Sequence, residues 1–181
     1  MKRLVIDTET TGLSPRFNKT LTVGLLLIDV EKNFLNILDE SHTFIKHNNY
    51  NATAGAMSVN KINLIQHNQI AVPPATACNQ INTFIEKNTL HEIPLVGHNI
   101  AFDRGFLNAL FDQGDALSKF HHEHEDTMWI WRNLQKENKV PIGRSDLCTV
   151  SGHFGIDYER AHDALADCKI TAQVYHEMMK L

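Results

Sequence analysis

The 181-residue sequence is predicted to fold as a layered domain of the α/β or α+β class. Its first 45 residues contain short apolar or alternating stretches typical of strands, and the rest alternates helical spacing with one further buried strand. With 43% hydrophobic residues, a chain of this length can bury one sizeable core. We therefore expect a single domain over residues 1–181.

The first strands are predicted from runs of β-favouring residues. Residues 4–6 are consecutive and apolar, as in a strand buried on both faces, and residues 10–15 are typical of a turn that leaves such a strand. Two more apolar or alternating stretches lie at 20–29 and 34–45, separated by the polar residues 30–33. This pattern predicts an antiparallel hairpin added to the sheet.

The remaining chain is predicted to be mainly helical. Helices are predicted at residues 74–87, 101–113, 127–137, 146–154 and 163–180, and a buried strand at 93–97. Segment 119–126 has three histidines and three acids, which suits a transition-metal site or a polar loop before a short edge strand. It matches no zinc spacing, which favours the loop. Trp129 and Trp131 suit base stacking or core packing, and their apolar neighbours favour the core.

Charge and cysteine content exclude several classes of protein. A net charge of −4 and a pI near 6.2 argue against a protein that wraps a long nucleic-acid backbone, although a short footprint at a nucleic-acid end is still allowed. Cys78, Cys148 and Cys168 lack C-x-x-C spacing, so we expect reduced thiols. The longest apolar stretch, 21–28, is too short to span a bilayer, and a strand begins near the N-terminus. We expect a soluble, cytoplasmic protein.

One of four acid-x-acid pairs has a distinctive setting. Asp7 and Glu9 directly follow the buried strand, and side chains two residues apart on a strand point the same way. They would share one face at the carboxyl end of a central strand, where ligands of open α/β sheets gather. The alternative is a solvated strand end whose carboxylates cap the following turn.

Two aspartates fall on the apolar side of predicted helices. Asp167 lies opposite the polar arc of the last helix, and Asp103 lies in the stripe continued by Phe106 and Leu107. A buried carboxylate is costly unless it is paired, hydrogen-bonded or bound to metal. The alternative for Asp167 is a buried aspartate whose carboxylate is paired or hydrogen-bonded within the protein. The alternative for Asp103 is an acid in the first turn of a helix that Asn99 caps.

Together, Asp7, Glu9, Asp103 and Asp167 carry enough negative charge to balance two divalent cations. Oxygen ligands suit Mg²⁺ or Mn²⁺, and two such ions ~4 Å apart clamp the attacking and leaving oxygens of an in-line phosphoryl displacement. His162, five residues before Asp167, could take a proton from water near neutral pH. The alternative for His162 is a surface histidine at a helix start.

Three segments, IDTETTGL, GHNIAFD and AHDALADC, resemble in order and spacing the exonuclease motifs of the DnaQ-like DEDDh superfamily. That superfamily includes polymerase proofreading subunits and ribonuclease T. The motifs run from residue 6 to residue 168. The third motif has histidine five residues before its aspartate, whereas a sister subgroup has tyrosine four before, where this chain has Asp163. The chain is therefore similar to the histidine type.

The resemblance implies a ribonuclease H-like fold, with a mixed five-stranded sheet flanked by helices. It also implies hydrolysis of a nucleic acid from its 3′ end to nucleoside 5′-monophosphates. By analogy, Asp7, Glu9 and Asp167 hold the metal that carries the attacking water, and Asp7 bridges to a second metal. Asp103 supports that second ion through water, and His162 is the general base.

The resemblance also implies substrate contacts by the turn after the first motif and by the second motif. These residues are Thr10, Thr11, Gly12, Leu13, His98, Asn99 and Phe102. Leu13 would wedge against the last base, a contact that tolerates any sequence. Purely structural roles as turn, cap or core residues are equally open for the whole set.

We expect single-stranded DNA as substrate, with RNA or oligoribonucleotides as the nearest alternative. The chain ends at Leu181, with the third-motif helix, which favours a stand-alone exonuclease over a proofreading subunit with a polymerase partner. Family members are often dimers, so a homodimer is also expected. A non-catalytic binding module is a remote alternative, because such a chain should have lost acids of the motifs.

Overall fold

A mixed five-stranded sheet organises the chain in the computed structural model, which describes residues 1–158 and 163–181. The strands are β1 (Lys2–Thr10), β2 (Thr20–Glu31), β3 (Phe34–Phe44), β4 (Leu95–Gly97) and β5 (His124–Asp126). Their order is β3-β2-β1-β4-β5, antiparallel between the first three and parallel between the last three. The expected hairpin and the central position of the first strand are confirmed.

The described residues form seven helices. They are α1 (Ala54–Asn60), α2 (Leu64–Ile70), α3 (Pro74–Lys87), α4 (Ile100–Gln113), α5 (Thr127–Lys136), α6 (Leu147–His153) and α7 (Ala164–Met178). The last five agree with the predicted helices to within two residues at each end. The sequence does not predict α1 and α2, because two turns are too short to establish a helical period. Both begin at a side-chain cap, Thr53 for α1 and Asn63 for α2.

The two faces of β1 pack against different helices. Leu4 and Ile6 join a core with α3 and α4, and Val5 joins a second core with α7 on the opposite face. All three side chains are at most 1% exposed, as predicted for a strand buried on both faces. A third cluster links α5, α6 and α7. The sheet therefore holds the carboxyl end of β1 between α4 and α7.

The prediction that both tryptophans pack in the core is wrong for Trp129. Trp131 is 2% exposed and joins the third cluster, but Trp129 is 53% exposed. Two residues along a helix correspond to about 200° of rotation, so the two rings face opposite sides of α5. The Arg132 guanidinium lies 5.1 Å from the centroid of a Trp129 ring. Trp129 therefore covers an arginine at the surface.

The other predictions about local features agree with the structure. All three cysteines are free thiols, with Cys78 and Cys168 buried and Cys148 exposed. The polar segment before β5 is a loop, and β5 is an edge strand of three residues. Within residues 1–158 and 163–181, no helix combines the length and the apolar character needed to cross a bilayer.

Candidate active site

Asp7 and Glu9 lie at the carboxyl end of the central strand and face the same side of the sheet as Val5, toward α7. Asp7 is paired in register with Gly24 of β2. A Cβ at Gly24 would lie 2.4 Å from the carbonyl oxygen of Ala164, the first residue of α7. Glycine at this position therefore lets α7 approach the sheet, which brings Asp167, one turn further on, over the end of β1.

The close approach of α7 assembles a carboxylate cluster. One carboxylate oxygen from each of Asp7, Glu9 and Asp167 lies within 4.8 Å of the others. Within the described residues, Asp7 and Glu9 form no ion pair with a basic side chain. Three convergent carboxylates are a donor set that fits a divalent cation such as Mg²⁺ or Mn²⁺.

Asp103 reaches the same region from the opposite face of β1. Thr8 lies between the two acids of the strand, so its side chain points toward α4. Its hydroxyl donates a hydrogen bond of 2.7 Å to Asp103 Oδ1, and both side chains are buried. Asn99 occupies the N-cap position of α4, but its side chain makes no capping hydrogen bond. Asp103 is therefore bound to the strand that carries the other two acids, in addition to its first-turn position.

Burial and mutual repulsion favour protons or cations at these carboxylates. Burial, followed by the charges of Asp103, Asp167 and Glu9, raises the pKa of Asp7 well above its usual range. Burial, with Asp167 and then Asp103, raises the pKa of Glu9 to about 8. Burial also raises the pKa of Asp103 to about 7, although the hydrogen bonds from Thr8 oppose that shift. A bound divalent cation would instead lower the pKa of these acids, because it favours their ionised form.

The residues that directly follow β1 form a buried frame from which one apolar side chain, that of Leu13, projects. The Thr10 hydroxyl donates to the Gly12 carbonyl at 2.7 Å, and the Thr11 hydroxyl accepts from the Lys19 amide at 2.8 Å. A Cβ at Gly12 would lie 2.4 Å from the side chain of Asn18. Leu13 is 84% exposed. The three buried residues therefore shape the turn, and Leu13 is the one that projects into solvent.

The second-motif residues differ in what they can offer a substrate. The ring nitrogens of His98 are held by the Thr127 hydroxyl at 2.9 Å and the Ser145 carbonyl at 2.8 Å. Asn99 is exposed in the left-handed region, with φ of 65°, and Phe102 is half-buried. His98 therefore ties loops together through both nitrogens, which leaves the ring carbons for other contacts.

His162, the predicted general base, lies outside the described residues. The residue that follows it, Asp163, caps α7 by accepting a hydrogen bond from the Ala166 amide at 3.0 Å. Its charge adds to the upward shift in the pKa of Asp7 and of Glu9. The end of the third motif thus begins α7 directly beside the carboxylate cluster.

A cleft of about 190 Å³ opens beside Glu9. It is lined by Glu9, Thr22, Phe44, Ile62, Asn63, Gln66, His67, Ile70 and Asp163. Its wall comes from Phe44 of β3, from Ile62 and Asn63 before α2, and from α2 itself. Asn60, at the end of α1, is buried and donates to the Thr10 carbonyl at 3.0 Å. The sequence did not predict this hydrogen bond, because Asn60 belongs to a helix too short to show a helical period.

Comparison with known proteins identifies the family. The RNase_T exonuclease family model matches residues 4–175. Ribonuclease T of Wigglesworthia glossinidia brevipalpis is 28% identical over 183 residues, which cover 97% of this chain and 83% of that protein. DNA polymerase III PolC-type of Streptococcus pneumoniae serotype 2 is 30% identical over 179 residues, which cover 98% of this chain and 11% of that polymerase.

Solved structures share the fold. Exonuclease I of E. coli in complex with a dT13 oligonucleotide has a TM-score of 0.82 at 18% identity and covers 97% of this chain and 40% of that chain. The nuclease domain of 3′hExo, a DEDDh family member bound to rAMP, has a TM-score of 0.79 at 19% identity, with coverage of 99% and 92%. The ribonuclease H-like fold expected from the motifs is confirmed.

The match over residues 4–175 spans all three motifs. The acids of the first motif and the acid of the third motif meet at one end of β1. The chain therefore belongs to the RNase_T family of exonucleases and is a 3′–5′ exonuclease.

Proposed function

We propose that this exonuclease hydrolyses single-stranded DNA from its 3′ end, releasing nucleoside 5′-monophosphates with the help of two divalent cations, Mg²⁺ or Mn²⁺. Residues 1–181 would act as one exonuclease domain. The observation that carries the proposal is the cluster of Asp7, Glu9 and Asp167 within 4.8 Å, beside a turn that exposes Leu13. Exonucleases of this superfamily use divalent metal ions, and this donor set fits them.

In this proposal Asp7, Glu9 and Asp167 would hold one cation, and Asp7 and Asp103 would serve a second. Such a pair of cations would supply an activated water and charge stabilisation at the departing 3′-oxygen. Thr8 orients the Asp103 carboxylate through its hydrogen bond of 2.7 Å. His162 is the proposed base that takes the proton from the attacking water.

The terminal nucleotide would lie between the exposed Leu13 and the cleft beside Glu9. The apolar side chains of Phe44, Ile62 and Ile70 in that cleft suit a base or sugar face. A pocket that contacts the face of a base, and not its hydrogen-bonding edge, accepts any base. Asn99 and Phe102 are proposed to complete the pocket on the α4 side.

The known relatives favour different substrates. Exonuclease I was solved with a dT13 oligonucleotide, which supports single-stranded DNA, whereas 3′hExo was solved with rAMP, and the ribonuclease T relative is named for RNA. The PolC-type relatives support a proofreading role with a polymerase. DNA and RNA differ at the pocket in the 2′-hydroxyl, so the test must compare both.

The proposal is tested with 5′-labelled single-stranded DNA and RNA of identical sequence, in Mn²⁺ and in excess chelator. We expect a ladder that shortens from the 3′ end only with metal, and faster cleavage of DNA. Asp7→Asn keeps the side-chain volume but removes the charge, and should lower the rate at least about a thousandfold. The product, separated by chromatography, should be the nucleoside 5′-monophosphate.

Asp112→Asn is the matched control, because Asp112 is an exposed carboxylate on α4, the helix that also carries Asp103. It should digest both substrates at the wild-type rate. Markedly faster digestion of RNA would replace single-stranded DNA by RNA as the substrate. Wild-type activity in Asp7→Asn would remove Asp7 from the catalytic centre.

A further inference from the structure

A second cleft, of about 660 Å³, opens beside Lys19, at the end of the turn that follows β1. It is lined by Lys19, Lys46, His47, Asn48, Asn49, Asn68, Pro73, Pro74 and Gln113. Lys19 directly precedes β2, and Lys46 follows the end of β3. Since β2 is antiparallel to β1 and to β3, both lysines lie at the same end of these strands as the carboxylate cluster.

The charge of this cleft contrasts with that of the protein. The chain has a net charge of −4, but no carboxylate is among the lining residues. Five other lysines form ion pairs, whereas Lys19 and Lys46 pair with no carboxylate in residues 1–158 and 163–181. Lys19 is half-buried and Lys46 is exposed. The cleft therefore presents two uncompensated ammonium groups.

His47 supplies no further charge near neutral pH. Burial lowers the pKa of its imidazole, although the hydrogen bond to the Thr20 carbonyl opposes the shift. Its Nε2 donates to that carbonyl at 2.7 Å. The remaining polar lining consists of the side-chain amides of asparagines and a glutamine, which donate and accept hydrogen bonds without carrying charge.

Backbone hydrogen bonds tie the cleft to the proposed substrate turn. The Thr11 amide donates to the Lys19 carbonyl at 2.9 Å, and the Lys19 amide donates to the Thr11 hydroxyl at 2.8 Å. On the far side, the Lys46 amide donates to the Val72 carbonyl at 2.9 Å. The two lysines are thus anchored through their backbones, so their side chains can be changed without removing these bonds.

We propose that this cleft is a subsite for the sugar-phosphate backbone of a single-stranded nucleic acid, upstream of the 3′ end that occupies the carboxylate centre. Lys19 and Lys46 neutralise phosphates, and the amide side chains of the lining contact the backbone without reading sequence. The subsite rests on the proposed function, because a strand held there is the continuation of the substrate. It gives longer strands an affinity that short ones lack.

The first test measures binding rather than cleavage. Fluorescence anisotropy follows a 5′-fluorescein single-stranded DNA 12-mer in excess chelator, with wild-type protein and with the double variant Lys19→Gln/Lys46→Gln. Removing two contacts should reduce the slope of log Kd against log salt by about 1.4, which is about 0.7 per phosphate. Between 50 and 200 mM salt, the wild type should therefore lose about sevenfold more affinity than the variant.

The matched control is Lys2→Gln/Lys32→Gln, which also removes two positive charges, but at the opposite end of these strands. Lys2 begins β1 and Lys32 lies in the turn between β2 and β3, and both are exposed. This variant should keep the wild-type salt slope. An equal loss in both double variants would mean that net charge alone acts, and would overturn the subsite.

A length series separates this proposal from the proposed function. In Mn²⁺, Lys19→Gln/Lys46→Gln should raise KM for the 12-mer and leave the KM for a dinucleotide unchanged. If neither DNA nor RNA is cleaved but the salt slope still falls in the variant, the proposed function fails and the subsite stands. If cleavage occurs and the salt slope of the variant equals that of the wild type, the subsite is wrong, and the lysines would then suit an acidic protein partner.

Discussion

At the scale of single residues, the alternation of β1 places functional groups on both faces. Asp7 and Glu9 point toward α7, while Thr8 between them points toward α4 and binds Asp103. One strand thus positions two acids by its own geometry and a third through a hydroxyl. The sequence had a signal for Thr8, because a residue between two same-face side chains must point the other way.

Thr8→Val should weaken metal binding without unfolding the protein. Valine keeps the shape of threonine but removes the hydroxyl that donates to Asp103 Oδ1, a buried oxygen, which costs about 1–3 kcal/mol. We expect the Mn²⁺ concentration for half-maximal activity to rise about tenfold, which corresponds to about 1.4 kcal/mol. Metal titrations of activity and of tryptophan fluorescence would measure this shift.

Thr8→Ser provides the matched comparison, because serine keeps the hydroxyl and loses only a methyl group. It should restore the wild-type Mn²⁺ dependence. Superimposable titration curves for valine and wild type would show that the bond from Thr8 does not position Asp103.

At the scale of elements, the site depends on how closely α7 approaches β2. The space around Gly24 is filled by the backbone of α7, with the Ala164 carbonyl oxygen 2.4 Å from where a Cβ would lie. Gly24 is also the register partner of Asp7. A single contact therefore sets the distance between the acids of β1 and the acid of α7.

Gly24→Ala should lower both stability and activity, because the backbone of α7 must move to admit a methyl group. Overpacking of this kind typically costs about 1–3 kcal/mol. For a chain of this length, that corresponds to a fall in Tm of roughly 2–12 °C. Calorimetry and initial rates with the labelled 12-mer would measure the two losses.

Gly152→Ala is the control for this change. Gly152 lies within α6, and a Cβ there would meet nothing within 4 Å. Gly152 lies in the last turn of that helix, so alanine there should keep activity and add at most roughly 0.5–1 kcal/mol to the free energy of unfolding. A Gly24→Ala variant as stable and active as Gly152→Ala would contradict the close-approach argument.

Two short elements show the limit of periodicity as a signal. The helices predicted from the sequence are α3 to α7, but α1 and α2 have seven residues each and were not expected. Asn60 at the end of α1 nevertheless holds the Thr10 carbonyl, and Ile62 and α2 line the cleft beside Glu9. Their placement depends on contacts with β1 and β3 rather than on their own sequence.

At the scale of the whole molecule, the carboxylate cluster makes the metal-free protein sensitive to pH. The folded protein holds the pKa of Glu9 at about 8 and that of Asp103 at about 7, above their ordinary values of 4.5 and 3.8. Between the ordinary pKa of each acid and its raised pKa in the folded protein, the folded state binds more protons than the unfolded state. The free energy of unfolding therefore falls as pH rises through this interval.

In excess chelator, we expect Tm to decrease from pH 5 to pH 8, and Mn²⁺ to raise Tm more at pH 8 than at pH 5. Ionised carboxylates repel one another but bind the cation, so the two effects have the same origin. Calorimetry with and without Mn²⁺ across this range would measure them. Glu9→Gln should flatten the pH dependence, because it removes an acid whose pKa the fold raises to about 8, and an equally steep decrease in that variant would contradict the assignment of the pH effect to these carboxylates.

The sequence alone determined the layered α/β fold, the central strand that ends in Asp7 and Glu9, and the inward positions of Asp103 and Asp167. These predictions rest on local spacing, because strand alternation and helical period fix which side chains share a face. The sequence also predicted reduced cysteines, and a short edge strand after the polar loop that contains three histidines. Residues close in sequence were sufficient for each of these.

Only the tertiary structure decided which side chains meet and which are exposed. It separated Trp131 in the core from Trp129 at the surface, joined Thr8 to Asp103 across 95 positions, and brought Lys19 and Lys46 to one cleft. Such contacts depend on how elements distant in the chain pack together. Spacing within one element carries no information about its neighbours, so the cleft and the supporting hydrogen bonds came only from the folded chain.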